Sequence, residues 1–298
     1  MSPTISIVTP SYNQGAFLEQ TLRSVLDEQT SPPDEYVVID GDSTDGSREI
    51  LERWSGRLTY SVSEPDEGQH AAINKGFTHT TGEVLAWLNS DDRYTPWALQ
   101  VVRELFDRFP QIEWLTTLYP LAMDERGVVS TCTYGGPFAA GSFLRGGAMP
   151  WGAAHSSGGV QQESTFWRRP LWERAGGRID PSLHYAGDFD LWSRFFRHAD
   201  LYAVEVPLGI FRVHGAQKTT AGEPYQREAQ QSLDARGAPG RPAANVLRAA
   251  LVRVLGRRPL GRLPALVAGP LVAARLLHPA PVVLWRDGDW RISTDYVV

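Results

Sequence analysis

Strand and helix signals alternate over roughly the first 110 residues, and this alternation limits the fold more strongly than any other feature of the chain. Short apolar runs occupy Thr4 to Thr9, Tyr36 to Ile39, Leu58 to Val62 and Val84 to Leu88. Each run is followed by a polar turn and then by apolar residues at helical spacing. Short connections between alternating strands and helices favour a mainly parallel sheet with helices on both faces. We therefore predict a doubly wound, Rossmann-like α/β fold.

The second half of the chain follows a different pattern. Residues 135–160 are rich in Gly, Ala and Ser and have no clear period, which is typical of a long loop. From Asp188 onward, apolar residues recur at i+3, i+4, i+7 and i+8, and this spacing predicts an amphipathic helix. Leu201 to Phe211 is predicted as one further strand. We expect the first domain to span residues 1–222 and a C-terminal extension to span residues 223–298.

The C-terminal extension is basic and apolar. Between Asp234 and Asp287 it has nine arginines and no acidic residue. Pro and Gly residues interrupt this stretch, so we expect short helices in it. The composition suits contact with anionic lipid at the inner face of the cell membrane. The alternative is that these helices pack on the first domain, or on a second copy of the chain in a homodimer.

The bulk composition indicates an ordinary soluble globular protein. Hydrophobic residues make up 42% and charged residues 21% of the chain. A formal net charge of −5 argues against a general nucleic-acid-binding protein. The single cysteine, Cys132, excludes an intrachain disulfide and is compatible with a reducing compartment. Because the sequence shows neither a secretion signal nor a run of about 20 apolar residues, we expect a cytoplasmic location.

Two adjacent carboxylates, Asp91 and Asp92, follow the apolar run that ends at Leu88. Strand ends of this kind are where open α/β sheets bind their ligands. Neighbouring side chains of an extended chain point to opposite faces, so one carboxylate can reach a divalent cation while the other bonds elsewhere. Hard cations bridge protein carboxylates to substrate phosphates, which suggests a metal–diphosphate site. An Asp-Asp pair also caps helices and fills loops, so the pair alone does not decide the function.

Other polar segments occupy comparable places at the ends of strands. They are Thr9-Pro10-Ser11-Tyr12-Asn13, Asp40-Gly41-Asp42-Ser43-Thr44-Asp45-Gly46, Asn74-Lys75-Gly76 and Gly187-Asp188-Phe189-Asp190-Leu191-Trp192. Together with the Asp-Asp loop they resemble the family 2 glycosyltransferases of GT-A fold, and the resemblance covers about residues 4–215. It is closest to bacterial polysaccharide or lipopolysaccharide biosynthesis enzymes that carry Glu-Pro-Asp-x-Gly-Gln, Asn-Lys-Gly and Leu-Asn-Ser-Asp-Asp sequences.

The resemblance implies inverting transfer of a sugar from a nucleotide-diphosphate donor to a hydroxyl of a saccharide or lipid-linked saccharide, with Mn²⁺ or Mg²⁺ as cofactor. The implied donor-binding residues are Thr9, Pro10, Tyr12, Asn13, Asp40, Asn74, Lys75 and Asp91. A planar phenol such as that of Tyr12 can stack on a nucleobase. Lys75 can place a positive charge near the diphosphate, and a solvated surface lysine is the alternative. Asp45 is expected to satisfy backbone donors at the start of a helix.

The resemblance also implies a metal site and a general base. It assigns the metal to Asp92, with His214 completing the metal shell or contacting the diphosphate. Neutral imidazole is a good ligand for Mn²⁺ and a poor one for Mg²⁺. Asp188 matches the family's base, and the predicted helix would hold it rigidly at the edge of the cleft. An N-cap role is the structural alternative for Asp188. Gln162 and Glu163 are expected on the acceptor side.

Two other classes of protein use related sheets. A catalytically silent scaffold that binds sugar nucleotides would be expected to lack Asp188 or the Asp91–Asp92 pair, and all three residues are present. A nucleotidyltransferase usually carries a Gly-rich loop with Lys or Arg after its first strand. The corresponding turn here has no basic residue before Arg23. We therefore expect a glycosyltransferase, with the silent scaffold as the alternative.

Overall fold

A computed structural model of the chain describes residues 2–147, 149, 159–215, 217–218, 222–237, 265–273 and 277–297. In chain order the strands are β1 (Ile5–Ser11), β2 (Glu35–Asp40), β3 (Tyr60–Ser63), β4 (Val84–Trp87), β5 (Arg93–Tyr94), β6 (Trp114–Thr117), β7 (Leu121–Met123), β8 (Val129–Cys132), β9 (Phe166–Arg168), β10 (Leu201–Val204), β11 (Gly209–Arg212), β12 (His278–Arg286) and β13 (Asp289–Val297). The α-helices are α1 (Gly15–Leu26), α2 (Ser47–Trp54), α3 (Gln69–Thr78), α4 (Ala98–Arg108), α5 (Ala140–Phe143), α6 (Arg169–Arg174), α7 (Gly187–Phe195), α8 (Gly222–Asp234) and α9 (Ala265–Ala273).

One large sheet organises the molecule, with the strand order β13-β12-β10-β6-β9-β4-β1-β2-β3. β1 runs parallel to its neighbours β2 and β4, and β2 runs parallel to β3. β10 runs parallel to both β6 and β12. β9 is antiparallel to its neighbours β4 and β6. The prediction of an α/β fold with a mainly parallel sheet is confirmed.

The helices of the first half form where apolar residues recur at helical spacing. α1 buries Leu18 and Leu22 in the core that it shares with the sheet. α2 buries Ile50, Leu51 and Trp54 in the same core. α3 passes so close to β1 that a Cβ atom at Gly76 would overlap the side chain of Val8. This close approach explains a glycine in the middle of a helix, where it otherwise costs stability.

Aromatic side chains fill the core next to α7. Trp192 of α7 stacks on Trp87 with 5.7 Å between ring centroids. It contacts Trp114 and Trp167 at the same centroid distance. Phe195, three residues further along α7, packs edge-on against the same two rings. These contacts anchor α7 to β4, β6 and β9, so the residues at its N-terminus have fixed positions.

A second, smaller sheet has the strand order β5-β11-β7-β8. Its strand β11 is antiparallel to β5 and parallel to β7. The single strand predicted over Leu201 to Phe211 is therefore wrong, because β10 lies in the large sheet and β11 in the small one. Pro207 lies between them, and it has no backbone N–H to continue a strand ladder. The pairing of β5 with β11 brings the Asp91–Asp92 loop beside His214.

The C-terminal extension is not all helical. β12 adds to β10, and β13 adds to β12 through a two-residue turn at Asp287 and Gly288. α8 packs on α7, and β13 contacts the first domain through Asp289 and Asp295, so several described parts of the extension lie against the first domain. Most of the arginine-rich stretch, residues 238–264, lies outside the described residues, and contact with a membrane or a second copy stays a prediction. Among the described helices, none is both long and apolar enough to cross a bilayer.

Part of the Gly-rich stretch 135–160, predicted as a loop, is helical. α5 forms within it, and Phe143 of α5 stacks on Phe189 of α7 with 4.6 Å between ring centroids. Residues 148 and 150–158 lie outside the described residues. The described part of this stretch therefore gives α7 a second aromatic support.

Candidate active site

The turns after β1 and β2 lie side by side at the carboxyl edge of the sheet, and Asn13 joins them. Its backbone has a φ of 51°, a left-handed conformation that asparagine tolerates. Its N–H donates to Ser43 Oγ at 2.8 Å, and its Oδ1 accepts from the Thr44 N–H at 2.9 Å. The side-chain oxygen predicted for donor binding therefore holds the two turns together. Tyr12 next to it is 63% exposed, as a ring that stacks on a base must be.

Asp40 and Thr9 form the floor beneath these turns. Both side chains are fully buried. The Asp40 carboxylate accepts hydrogen bonds from the N–H and Oγ of Ser43 and from Ser63 Oγ, so both of its oxygens are occupied. Thr9 Oγ1 is hydrogen-bonded to the hydroxyl of Tyr36 at 3.0 Å. Pro10 is also buried. The side chains of Thr9, Pro10 and Asp40 are not exposed and support these turns, and their predicted contacts with a nucleotide stay predictions.

α3 carries Asn74 and Lys75, whose side chains make different kinds of contact. The Asn74 amide bonds both the carbonyl and the N–H of Ile179 at 2.8 Å, so it fastens α3 to the segment before α7. The Asn74 amide is thus engaged within the protein, and its predicted donor contact stays a prediction. The Lys75 ammonium is partly exposed and pairs with Glu64, just after β3. A diphosphate there would share this cation with Glu64.

Asp45 has the structural role expected of it. Its Oδ1 accepts from the N–H and Oγ of Ser47 at the start of α2, and its Oδ2 accepts from the N–H of Gly15 at the start of α1. One carboxylate thus satisfies backbone donors of two helices. Burial is outweighed by these hydrogen bonds, and the pKa of Asp45 lies below its ordinary value.

Asp91 and Asp92 differ in their surroundings. Asp92 is buried, and its carboxylate accepts from the Arg212 N–H at 2.8 Å and from Asn89 Nδ2 at 3.1 Å. Burial, helped by the charge of Asp91, raises the pKa of Asp92 well above its ordinary value. The Asp91 side chain is 17% exposed, and its Oδ2 lies 2.9 Å from His214 Nε2. The side chain that reaches His214 is thus that of Asp91, and Asp92 binds the backbone of β11.

Arg212 holds this loop in place, a role that sequence reasoning missed. Its buried guanidinium donates to the carbonyl oxygens of Asp91 and Glu125 at 2.6 and 2.9 Å. It also donates to Gln20 Oε1 at 3.0 Å and lies over the ring of Phe17. The fork of donors on arginine suits such a multiple attachment. Arg212 therefore fixes the positions of Asp91 and of His214, two residues further along the chain.

The chemistry of the Asp91–His214 pair fits a divalent cation. A carboxylate oxygen and an imidazole nitrogen at hydrogen-bond distance can both turn to one ion, and this donor set suits Mn²⁺. Among the described residues, no group of three or more His, Cys, Asp or Glu side chains could hold a metal. Cations at phosphate-transfer sites commonly take their remaining ligands from substrate phosphates and water. The structure thus adds Asp91 as a candidate metal ligand beside His214, and the metal role predicted for Asp92 stays a prediction.

Glu163 lies in the short turn before β9 and is almost fully buried. Its Oε1 has no hydrogen-bond partner among the described residues. Burial is the main reason that its pKa rises to about 8, and the charges of Asp91 and Asp188 add to this effect. Glu163 is therefore within electrostatic reach of both predicted acidic sites. Gln162 next to it bonds Asn89 and the carbonyl of Trp87.

Asp188 lies in the first turn of α7, and its carboxylate is only partly exposed. Its Oδ1 accepts from the Phe189 N–H at 2.7 Å and from the Tyr225 hydroxyl at 3.0 Å. Neither bond caps the helix, so the N-cap alternative is wrong. Oδ2 accepts no hydrogen bond from the residues that the structure describes. Burial raises the pKa of Asp188 from 3.8 to about 6, as a general base requires.

Known proteins share part of this sequence. Residues 6–145 match the sequence model of Glycosyl transferase family 2. A protein of Bacillus subtilis named for teichuronic acid biosynthesis, the glycosyltransferase TuaG, is 38% identical over 95 residues, which cover 31% of this chain and 37% of that protein. This part of the chain is therefore similar in sequence to glycosyltransferase family 2. A further relative, an uncharacterized glycosyltransferase of Mycobacterium tuberculosis, is 32% identical over 178 residues, or 59% of this chain and 63% of that protein. The chain spans 32% to 63% of the length of the first such relatives.

Two solved glycosyltransferase structures have a similar fold. TarS of Staphylococcus aureus in complex with UDP-GlcNAc aligns with a TM-score of 0.61 at 16% identity, covering 85% of this chain and 72% of that chain. The mannosyltransferase PcManGT of Pyrobaculum calidifontis in complex with GDP-Man and Mn²⁺ aligns with a TM-score of 0.54 at 19% identity, covering 92% and 76%. At such identities the likeness concerns the fold alone, and the prediction of a GT-A fold is confirmed.

Proposed function

We propose that the chain is an inverting glycosyltransferase that moves a sugar from a nucleotide-diphosphate donor to a hydroxyl of a saccharide or lipid-linked saccharide. The match of residues 6–145 to family 2 supports the reaction class. The similar structures TarS and PcManGT hold UDP-GlcNAc and GDP-Man, which supports this class of donor. The observation that carries the proposal is the Asp188 carboxylate, which is rigidly held, has a pKa of about 6 and has one oxygen without a hydrogen bond from the described residues.

The proposed chemistry is one displacement at the anomeric carbon. Asp188 Oδ2 takes the proton of the acceptor hydroxyl. The acceptor oxygen forms a bond to the anomeric carbon, while the bond from that carbon to the donor's phosphate oxygen breaks. The electron pair of that bond leaves with the nucleoside diphosphate, and attack from the opposite face inverts the anomeric centre. With a pKa of about 6, Asp188 is mostly ionised at neutral pH and is a stronger base than an ordinary aspartate.

A different set of residues stabilises the leaving nucleoside diphosphate. We propose that Asp91 and His214 hold a divalent cation, with Mn²⁺ favoured by the imidazole nitrogen. When bound, such a cation neutralises negative charge that develops on the diphosphate. Arg212 and Asp92 keep this pair in place through the hydrogen bonds between β11 and the Asp-Asp loop. The partly exposed Lys75, which pairs with Glu64, adds a further positive charge for the diphosphate.

A panel of nucleotide sugars, each with Mn²⁺, Mg²⁺ or chelator, tests the proposal. The protein is first screened for thermal stabilisation and then for release of nucleoside diphosphate in the presence of mixed saccharide acceptors. We expect one donor to raise the unfolding midpoint in the presence of Mn²⁺ and to be turned over. Proton NMR of the early product should show the anomeric configuration opposite to that of the donor.

Two outcomes would contradict the proposal in different ways. A product that retains the donor's anomeric configuration would require an enzyme nucleophile and would exclude Asp188 as a simple base. Binding of a donor with no turnover on any acceptor and no hydrolysis would instead favour the silent scaffold. Asp200→Asn is a suitable control variant for these assays, because Asp200 is exposed and lies after α7, at its far end from Asp188.

A further inference from the structure

Tyr225 reaches the proposed base from α8, in the part of the chain assigned to the C-terminal extension. Its hydroxyl donates to Asp188 Oδ1, with 3.0 Å between the two oxygens. The Phe189 N–H donates to the same oxygen. Two donors on one carboxylate oxygen fix the plane of the group. They leave the lone pairs of Oδ2 for another donor.

The turn before α7 is also fixed by α8. The Glu228 carboxylate accepts hydrogen bonds from three successive backbone amides, those of His184, Tyr185 and Ala186, at 3.1, 2.8 and 2.8 Å. Hydrogen bonds from N–H groups to an ionised carboxylate are stronger than those between neutral groups. Glu228 therefore ties the residues that lead into Asp188 to the same helix that carries Tyr225.

A third attachment lies further along both helices. Ser232 Oγ and the Arg236 guanidinium donate to Asp190 Oδ1 at 3.1 and 2.6 Å. Arg194 donates to the other oxygen of Asp190 at 3.0 Å. The positions 225, 228, 232 and 236 are separated by three, four and four residues, so they lie on one face of α8 and its C-terminal turn. This face of α8 contacts α7 and the turn before it, and Tyr225 makes the contact with the proposed base.

We propose that Tyr225 is a positioning residue for glycosyl transfer: its hydroxyl holds the Asp188 carboxylate so that Oδ2 faces the acceptor hydroxyl, and it stabilises the ionised form of that carboxylate. The proposal rests on the proposed function in taking Asp188 as the base. It moves α8 from the extension into the catalytic unit. Removal of the hydroxyl therefore weakens proton transfer and leaves donor binding intact.

Several charged or titratable groups face Asp188 from the surrounding elements. Burial is the main cause of its raised pKa, and the charge of Glu228 on α8 raises it further. Glu163 adds a third carboxyl group from the turn before β9. His70 of α3 packs under the first turn of α7, and burial lowers its pKa. Burial raises the pKa of Tyr225 well above 10, so the phenol remains a donor and lowers the pKa of Asp188.

The test is the variant Tyr225→Phe, which keeps the ring and removes the hydroxyl. The Asp188 carboxyl is titrated by NMR in protein labelled with ¹³C-aspartate, and its signal is assigned by its loss in Asp188→Asn. Since a hydrogen bond to a charged group is lost, we expect the titration midpoint of Asp188 to rise by about one pH unit. We also expect kcat to fall about fivefold near pH 6, because less of Asp188 is ionised there, and to recover partly near pH 8, with an unchanged KM for the donor.

Tyr202→Phe is the matched control, because Tyr202 lies on β10 and its hydroxyl makes no hydrogen bond with the described residues. An unchanged Asp188 midpoint in Tyr225→Phe would overturn the proposal. So would a kcat that matches wild type at both pH values. The titration needs no substrate, so it decides the contact with Asp188 even if no nucleotide sugar is turned over. Failure of the donor panel in wild type would instead count against the proposed function.

Discussion

Glu163 is a buried carboxyl group close to other acidic groups, and this has a consequence for stability. Its pKa is about 8 in the folded chain and 4.5 for an ordinary glutamate, so the folded state binds the proton more tightly than the unfolded state. The free energy of unfolding must therefore fall as the pH rises from about 4.5 to about 8. Above that range the full penalty of the buried charge is present.

The variant Glu163→Gln removes this penalty with little change of shape. We expect its unfolding midpoint to exceed that of wild type above about pH 8 by about 2–4 °C, and to match it more closely near about pH 5. Thermal unfolding followed by circular dichroism across this pH range provides the measurement. Glu104→Gln on the exposed face of α4 is the control. A difference that is the same at every pH would contradict the assignment of a raised pKa.

At the residue scale, motifs located the acidic residues but not their roles. Asp91 and Asp92 are adjacent, and the sequence does not show which of the two carboxylates is buried against β11. Asp40 and Asn74 match family motifs, yet their hydrogen-bonding groups are occupied within the protein. Tyr225 lies 37 residues from Asp188, and only the packing of α8 on α7 brings them together. No local sequence pattern carries that information.

At the scale of single elements, α3 shows how tightly a helix is seated on the sheet. A methyl group at Gly76 would overlap Val8 of β1. Overpacking of this kind costs about 1–3 kcal/mol. Alanine gains up to about 1 kcal/mol in helix propensity, so we expect Gly76→Ala to lower the unfolding midpoint by about 2–4 °C. Gly56→Ala is the matched control, since no atom lies within 4 Å of the added carbon. An unchanged or higher midpoint in Gly76→Ala would show that α3 is not held this closely.

Periodicity predicted the elements of the first half because each strand and helix there is short, regular and separated by polar turns. It missed the β12–β13 hairpin, which the basic composition of its surroundings led us to include in a helical extension. A local signal was present. Asp287 and Gly288 form a two-residue turn with φ values of 54° and 77°, the conformation that an Asp-Gly pair favours between strands. The antiparallel insertion of β9 between β4 and β6 has no such signal, since it depends on long-range pairing.

At the scale of the whole molecule, the fold separates two acidic sites. The carboxyl end of β4 and the end of β11 bring together Asp91 and His214, the proposed cation ligands. α7, anchored by aromatic packing and by α8, carries Asp188, the proposed base. The charges of Asp91 and Asp188 both raise the pKa of Glu163, so Glu163 lies close to both sites. The parallel sheet and its helices were predictable from sequence, and the distance between the two sites depended on tertiary packing.

Because α8 contacts the proposed base, a shortened chain that ends near residue 222 is unsuitable for locating membrane contact. Its loss of activity would reflect the missing Tyr225 and Glu228. A chain that ends after residue 237 keeps α8 and its C-terminal turn. It also removes β12 and β13 from the edge of the large sheet, so its folding must be established first.

The most direct measurement compares donor binding and sugar transfer in Asp188→Asn, Asp91→Asn and Asp92→Asn. With Mn²⁺ present, we expect Asp188→Asn to bind the nucleotide sugar within about twofold of wild type and to lose at least about 100-fold in transfer rate. Asp91→Asn should lose at least about tenfold in Mn²⁺-dependent binding, and Asp92→Asn, which acts only through the position of β11, should lose less. Transfer by Asp188→Asn at the wild-type rate, or undiminished Mn²⁺-dependent binding by Asp91→Asn, would contradict the division of labour between the two sites.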